Sequence, residues 1–163
     1  MKDSKFVLGI HPTSRGFGWI VFETPLAPFD WGTVEVREDK QAGAIGRLEK
    51  LLTKYKPVAV ALEQYEGAPA HRAPRIRRVA AAMAKTSRKH GADIAVYSRA
   101  AVAEAVAGSH SSTREEIAEI VARKIEPLRS RLPAKRKIWV GESPSLSLFT
   151  AAACALTWYA HHP

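Results

Sequence analysis

The chain has 163 residues, of which 46% are hydrophobic and 25% are charged. These values are typical of one folded domain with its own core, and we expect a single domain over residues 1–163. The only cysteine, Cys154, excludes an internal disulfide and a cysteine-based zinc cluster. The sequence has no apolar run of about eighteen residues and no signal-peptide pattern, so it predicts a cytoplasmic protein without a membrane span.

Positive charge is concentrated in the second part of the sequence. Residues 1–70 contain as many basic as acidic residues, so the net charge of +9 arises within residues 71–163. Two segments, 71–90 and 123–137, hold most of the excess. Such clustering favours binding to a polyanion, and nucleic acid is the expected ligand. A solvated surface that only keeps the protein soluble is the alternative interpretation.

The first elements predicted along the chain are three β-strands, over residues 5–10, 17–22 and 30–37. The first two are apolar runs separated by a turn that contains glycine, proline and serine. Residues 24–28 predict a loop between the second and third strands. Because both connections are short, we expect the three strands to form an antiparallel meander.

A helix and a fourth strand follow. Residues 41–55 carry apolar side chains at helical spacing, and Pro57 ends this helix. The next strand, over residues 58–62, is reached by a helical crossover and should therefore run parallel to the first. A basic helix over residues 74–90 then leads to a fifth strand over residues 93–97.

The rest of the chain is predicted to be mainly helical. Three helices are expected over residues 99–107, 114–126 and 145–160. Thr113 and Glu116 have the spacing of a capping box, in which each side chain satisfies a backbone amide at the start of the second of these helices. The order of elements indicates an α/β or α+β domain with a mixed five-stranded sheet.

Two segments at predicted strand ends suggest a family. Residues 8–18 read Leu-Gly-Ile-His-Pro-Thr-Ser-Arg-Gly-Phe-Gly, and residues 62–64 read Leu-Glu-Gln. Together with the order of the helices, they resemble the RuvC-like Holliday junction resolvases of the ribonuclease H superfamily over most of the chain. The resemblance implies a ribonuclease H-like α/β fold, a five-stranded mixed β-sheet flanked by α-helices. It also implies that His11 replaces a metal-binding aspartate and that Glu63 matches the second metal-binding carboxylate.

The last helix departs from the family pattern as well. RuvC resolvases place two aspartates near its start, whereas residues 145–152 contain no acid, and Thr150 takes one of those positions. The nearest carboxylate is Glu142, which could be a ligand or could only compensate the charge at a helix start. Arg114 falls where these resolvases carry a functional lysine.

Three interpretations of His11 stay open. It could bind a softer divalent ion together with Glu63 and Glu142, it could contact phosphate or act as a base without metal, or it could fill the place of a lost aspartate. An active site of the family type implies Mg²⁺ or Mn²⁺, and imidazole suits Mn²⁺ better. An inactive site implies no cofactor.

The sequence supports three functions. The first is a RuvC-like protein that binds branched or structured DNA, as a homodimer, with its nuclease centre altered or lost. The second is an active metal-dependent endodeoxyribonuclease that uses His11, Glu63 and Glu142 as catalytic and metal-binding residues. The third is a non-catalytic scaffold for protein interactions. For DNA binding, the residues predicted to contact phosphate are Arg72, Arg75, Arg77, Arg78, Arg114, Lys135, Arg136 and Lys137.

Overall fold

The structure is a computed structural model, and it describes residues 5–67, 73–133 and 144–163. Its strands are β1 (Val7–Pro12), β2 (Gly16–Thr24), β3 (Ala27–Glu35), β4 (Ala59–Glu63) and β5 (Asp93–Tyr97). Its α-helices are α1 (Lys40–Tyr55), α2 (Pro74–Lys89), α3 (Arg99–Ala107), α4 (Arg114–Lys124) and α5 (Pro144–His161). A 3₁₀ helix spans Glu126–Arg131. Within the described ranges, no helix is long and apolar enough to cross a membrane.

The five strands form one mixed sheet in the order β3-β2-β1-β4-β5. The first three strands pair antiparallel, whereas β1 with β4 and β4 with β5 pair parallel. This arrangement confirms the predicted meander and the predicted parallel crossover. Since neighbouring parallel strands point the same way, the carboxyl ends of β1 and β4 lie side by side at one edge of the sheet.

Two connections differ from the sequence prediction. The loop predicted over residues 24–28 is wrong, because Thr24 pairs with Ala27 and only two residues remain in the turn. Leu26 has a φ of 67° in this turn. This left-handed conformation is uncommon for leucine, so the sequence does not predict it. The helix predicted over 114–126 also ends early, at Lys124, and the 3₁₀ helix follows it from Glu126.

The sheet is covered on both faces. Leu8 and Ile10 of β1 pack with α1 and α2, whereas Val7 lies in the cluster formed with α3, α4 and α5. Because side chains alternate along a strand, Gly9 and His11 share the face of Val7. His11 therefore points towards the layer of α4 and α5.

Two glycines let α5 approach the sheet closely. A Cβ atom at Gly9 would collide with the backbone carbonyl of Ala151, and a Cβ atom at Gly18 would collide with the backbone of Ser147. Only glycine can accept a backbone at this distance. The contact fixes the first turns of α5 against β1 and β2, next to the strand ends.

Candidate functional site at the strand ends

His11 lies near the carboxyl end of β1 and is almost completely buried, with 1% of its surface exposed. It pairs with Gly18 of β2, the glycine over which the backbone of Ser147 in α5 packs closely. The register between β1 and β4 aligns Gly9 with Ala61. Continuing that register by two residues places His11 level with Glu63.

Glu63 is the last residue of β4, and its side chain is 10% exposed. Its backbone pairs with that of Tyr97, the last residue of β5. Burial raises the pKa of the Tyr97 phenol, with the Cys154 thiol as a lesser cause, so this neighbour stays neutral at physiological pH. The positive charge that pairs with Glu63 comes from α4.

Arg114 brings a positive charge between His11 and Glu63. Its Nη1 atom lies 2.8 Å from His11 Nε2, and its Nη2 atom donates to Glu63 Oε1 at 3.0 Å. A guanidinium group can only donate hydrogen bonds, so the contact requires His11 Nε2 to accept one. This selects the neutral imidazole with its proton on Nδ1. We call His11, Glu63 and Arg114 the strand-end site.

The start of α4 explains why Arg114 reaches inward. Thr113 accepts a hydrogen bond from the backbone of Glu116, and the Glu116 side chain accepts one from the backbone of Thr113. This confirms the predicted capping box, which fixes the direction in which the helix begins. Arg114 is the first helical residue, and its side chain is 17% exposed. Its positive charge therefore interacts mainly with groups inside the protein.

The final helix contributes no carboxylate to this site from residues 144–163. Thr150 is buried and lines a very small cavity together with Glu63 and Arg114. Its hydroxyl donates to the backbone oxygen of Leu146 at 3.2 Å, one turn earlier in α5. Thr150 thus satisfies its polar group within its own helix.

The strand-end site does not fit a pair of divalent ions. Two-metal hydrolysis needs carboxylates that bridge the metals, and both predicted ligands in the described ranges already contact a guanidinium. Nowhere in those ranges do three or more His, Cys, Asp or Glu residues cluster as a metal site would require. Glu142 lies outside the described residues, and its role as a ligand stays a prediction.

The predicted phosphate-contacting residues occupy different environments. Arg75 and Arg78 are exposed on α2, whereas the Nε atom of Arg77 donates to the backbone oxygen of Tyr65 at 2.7 Å. Arg114 lies in the strand-end site, and its contact with phosphate stays a prediction. Four further members of the predicted set lie outside the described residues: Arg72, Lys135, Arg136 and Lys137.

One basic residue near these arginines was missed by sequence reasoning. Lys40, the first residue of α1, lines a groove together with Arg75 and Arg78. It lies outside both basic segments, so charge clustering does not reveal it. The start of α1 gives no further signal, because the Asp39 carboxylate caps it by accepting a hydrogen bond from the backbone of Ala42.

Comparison with solved structures identifies the fold. RuvC from T. thermophilus in complex with Holliday junction substrate matches with a TM-score of 0.72 and 20% identity, over 97% of this chain and 94% of that one. Another Thermus thermophilus RuvC structure matches with a TM-score of 0.66 and 20% identity, over 96% and 95%. The yeast mitochondrial Holliday junction resolvase Ydc2 matches with a TM-score of 0.57 and 14% identity, over 96% and 78%.

No protein-family model matches the sequence, and no curated protein sequence matches it. The structural matches confirm the predicted ribonuclease H-like fold of the RuvC type, with a mixed sheet of five strands between helices. This protein therefore shares its fold with the RuvC resolvases while carrying a guanidinium between the two strand-end residues His11 and Glu63.

Proposed function

We propose that this protein binds branched or structured DNA through a RuvC-type fold and does not cleave it. The observation that carries the proposal is the position of Arg114, whose guanidinium contacts both His11 and Glu63. The resemblance assigns these two positions to catalytic metal ions. In this protein the positively charged guanidinium of Arg114 contacts both residues instead.

The chemistry of the strand-end site argues against two-metal hydrolysis. Such a site needs several carboxylates to neutralise and bridge two divalent ions. Glu63 supplies one carboxylate, and its charge is already compensated by Arg114. A divalent ion at this place would meet the repulsion of a fixed guanidinium and a single imidazole that suits Mg²⁺ poorly.

The same ion pair is compatible with DNA binding. A carboxylate without a counter-ion at the strand ends would repel a phosphate, and Arg114 removes that repulsion. The net charge of +9 favours a polyanion, and one of the matching structures is a RuvC bound to Holliday junction substrate. We therefore propose a junction or another branched DNA as the ligand, bound by a homodimer of single-domain subunits.

The experiment compares binding and cleavage on the same substrate. The purified protein is incubated with a labelled four-way DNA junction, a linear duplex and single-stranded DNA, in Mg²⁺ and separately in Mn²⁺. Glu63→Gln is the matched variant. We expect tight junction binding and no cleavage in either metal.

Two results would overturn the proposal, each in favour of a different alternative. Junction cleavage that is lost in Glu63→Gln would establish an active metal-dependent nuclease that uses His11 and Glu63. Failure to bind any of the three DNA substrates would favour a scaffold for protein interactions, with the basic residues serving solubility.

A further inference from the structure

We infer that a groove between the β1–β2 turn and the first turns of α1 and α2 binds the phosphodiester backbone of a nucleic acid strand. This inference rests on the proposed function, because it locates the surface that holds the DNA. The groove is lined by Thr13 and Ser14 of the turn, Lys40 of α1, and Arg75 and Arg78 of α2. We call it the basic groove.

The cations of the basic groove form no ion pair within the described part of the chain. Among residues 5–67, 73–133 and 144–163, no acidic residue lines the groove, and no ion pair involves Lys40, Arg75 or Arg78. The Lys40 Nζ atom donates to the backbone oxygen of Ser14 at 3.0 Å, which holds it at the groove. Three positive charges therefore face the same space, and an anion would lower their mutual repulsion.

The positions of Arg75 and Arg78 on α2 also favour binding of an anion. Arg75 and Arg78 are three residues apart, so their side chains are neighbours on the helix surface, where like charges destabilise the helix. The first turn of α2 contains no acid, although the partial positive charge of a helix start favours one. A phosphate between the two arginines would reduce the repulsion between their charges. It would also supply the negative charge that the helix start favours.

The turn adds a neutral hydrogen-bond donor. The Thr13 hydroxyl oxygen accepts hydrogen bonds from the backbone of Arg15 and of Gly16, each at 3.2 Å. Its own hydrogen can rotate towards another acceptor, such as a phosphate oxygen. Contacts of this kind hold a backbone in position without reading the bases, which suits recognition of DNA shape.

The size and place of the groove favour a strand over a small ion. Its volume is about 290 Å³, roughly ten times the share of one water molecule in the liquid. Thr13 follows His11 by two residues, so the groove lies at the same end of β1 as the strand-end site. Arg77 belongs to a different environment, because it donates to the backbone of Tyr65.

The test uses two triple variants of the full chain. The groove variant carries Lys40→Gln, Arg75→Gln and Arg78→Gln. The control variant carries Lys50→Gln, Arg88→Gln and Lys89→Gln, which removes the same number of positive charges from the same two helices at positions away from the groove. Fluorescence anisotropy gives the Kd for a labelled four-way junction and a linear duplex over a series of KCl concentrations.

We expect the groove variant to lose about two to three units of the slope of log Kd against log salt, since each phosphate contact contributes about 0.9 units. Its affinity should fall at least about tenfold at moderate salt, whereas the control variant should lose less than about one unit of slope. Thermal unfolding should show the groove variant to be at least as stable as the wild type, because cations have been removed from helix starts.

The outcomes separate this inference from the proposed function. If the wild type binds the junction and the two variants lose equal affinity and equal slope, the basic groove is not the binding surface, and the proposed function stands. If the wild type binds no nucleic acid, both are overturned. If the basic groove instead holds an acidic protein segment, the wild type should bind no nucleic acid.

Discussion

The strand-end site and the basic groove both contain arginine, but the arginine charge is paired with a carboxylate in the first and exposed in the second. Arg114 is 17% exposed, and Glu63 neutralises it. Arg75 and Arg78 are exposed, and no carboxylate of the residues that the structure describes lines their groove. Removing one partner of a largely buried ion pair destabilises a protein, whereas an exposed charge outside an ion pair can contribute to binding a ligand. We therefore expect substitutions in the two regions to affect different properties.

The largest effect on stability is expected for Glu63→Ala. The substitution removes the Glu63 carboxylate from its largely buried ion pair with Arg114, which should lower the free energy of unfolding by about 2 kcal/mol. Urea denaturation followed by circular dichroism measures the change. Glu104→Ala is the control, because that carboxylate is 63% exposed and lies 3.9 Å from an exposed histidine, His110.

The control should change the free energy of unfolding by less than about 0.5 kcal/mol, as exposed ion pairs contribute little. The salt slope of DNA binding should stay the same in Glu63→Ala. Equal stability of the two variants would show that the contact between Glu63 and Arg114 does not hold the strand ends together.

A smaller loss of stability is expected for Arg114→Lys. Lysine keeps the positive charge, but one ammonium group does not reproduce the planar fork that contacts His11 and Glu63 through two nitrogen atoms. We expect the free energy of unfolding to fall by about 1 kcal/mol. A double-mutant cycle with Glu63→Gln should show coupling between the two positions, and strictly additive effects would contradict the described geometry.

Removal of divalent ions should change DNA binding very little. Arg114 already neutralises Glu63, so no metal is needed to reduce repulsion between the strand ends and a phosphate. At constant ionic strength, replacing Mg²⁺ by EDTA should change the junction Kd by less than about twofold. Anisotropy titrations on one protein preparation provide the measurement, and a tenfold loss of affinity in EDTA would contradict this account.

No gain of cleavage is expected when the family residue is restored at position 11. His11→Asp adds a second carboxylate, but Arg114 remains beside it and α5 supplies none from residues 144–163. Gel analysis of a labelled junction in Mg²⁺ and in Mn²⁺ tests this. Cleavage by His11→Asp alone would mean that the guanidinium moves aside when metal is present.

Much of the fold could be predicted because its determinants are local. The sequence pattern indicated all five strands, and the spacing of Thr113 and Glu116 indicated the start of α4. The tight turn at Leu26 could not be predicted, since a leucine with a positive φ is held there by the pairing of β2 with β3 and not by its own preference.

The candidate site was predicted only in part. The resemblance pointed to His11, Glu63 and Arg114, but not to the contact among them. The direction of an arginine at a helix start depends on how α4 packs, which is a tertiary property. Lys40 escaped notice for a similar reason, because it meets Arg75 and Arg78 only after two helices have packed together.

The most direct test of the central claim is a titration of the protein with Mn²⁺, followed by electron paramagnetic resonance. Free Mn²⁺ gives a signal that weakens on binding, so the number of bound ions can be measured without DNA. If the guanidinium of Arg114 takes the place of catalytic metal, the wild type and Glu63→Gln should give the same titration, with no stoichiometric site. A site that binds one or two ions in the wild type and is lost in Glu63→Gln would contradict the claim.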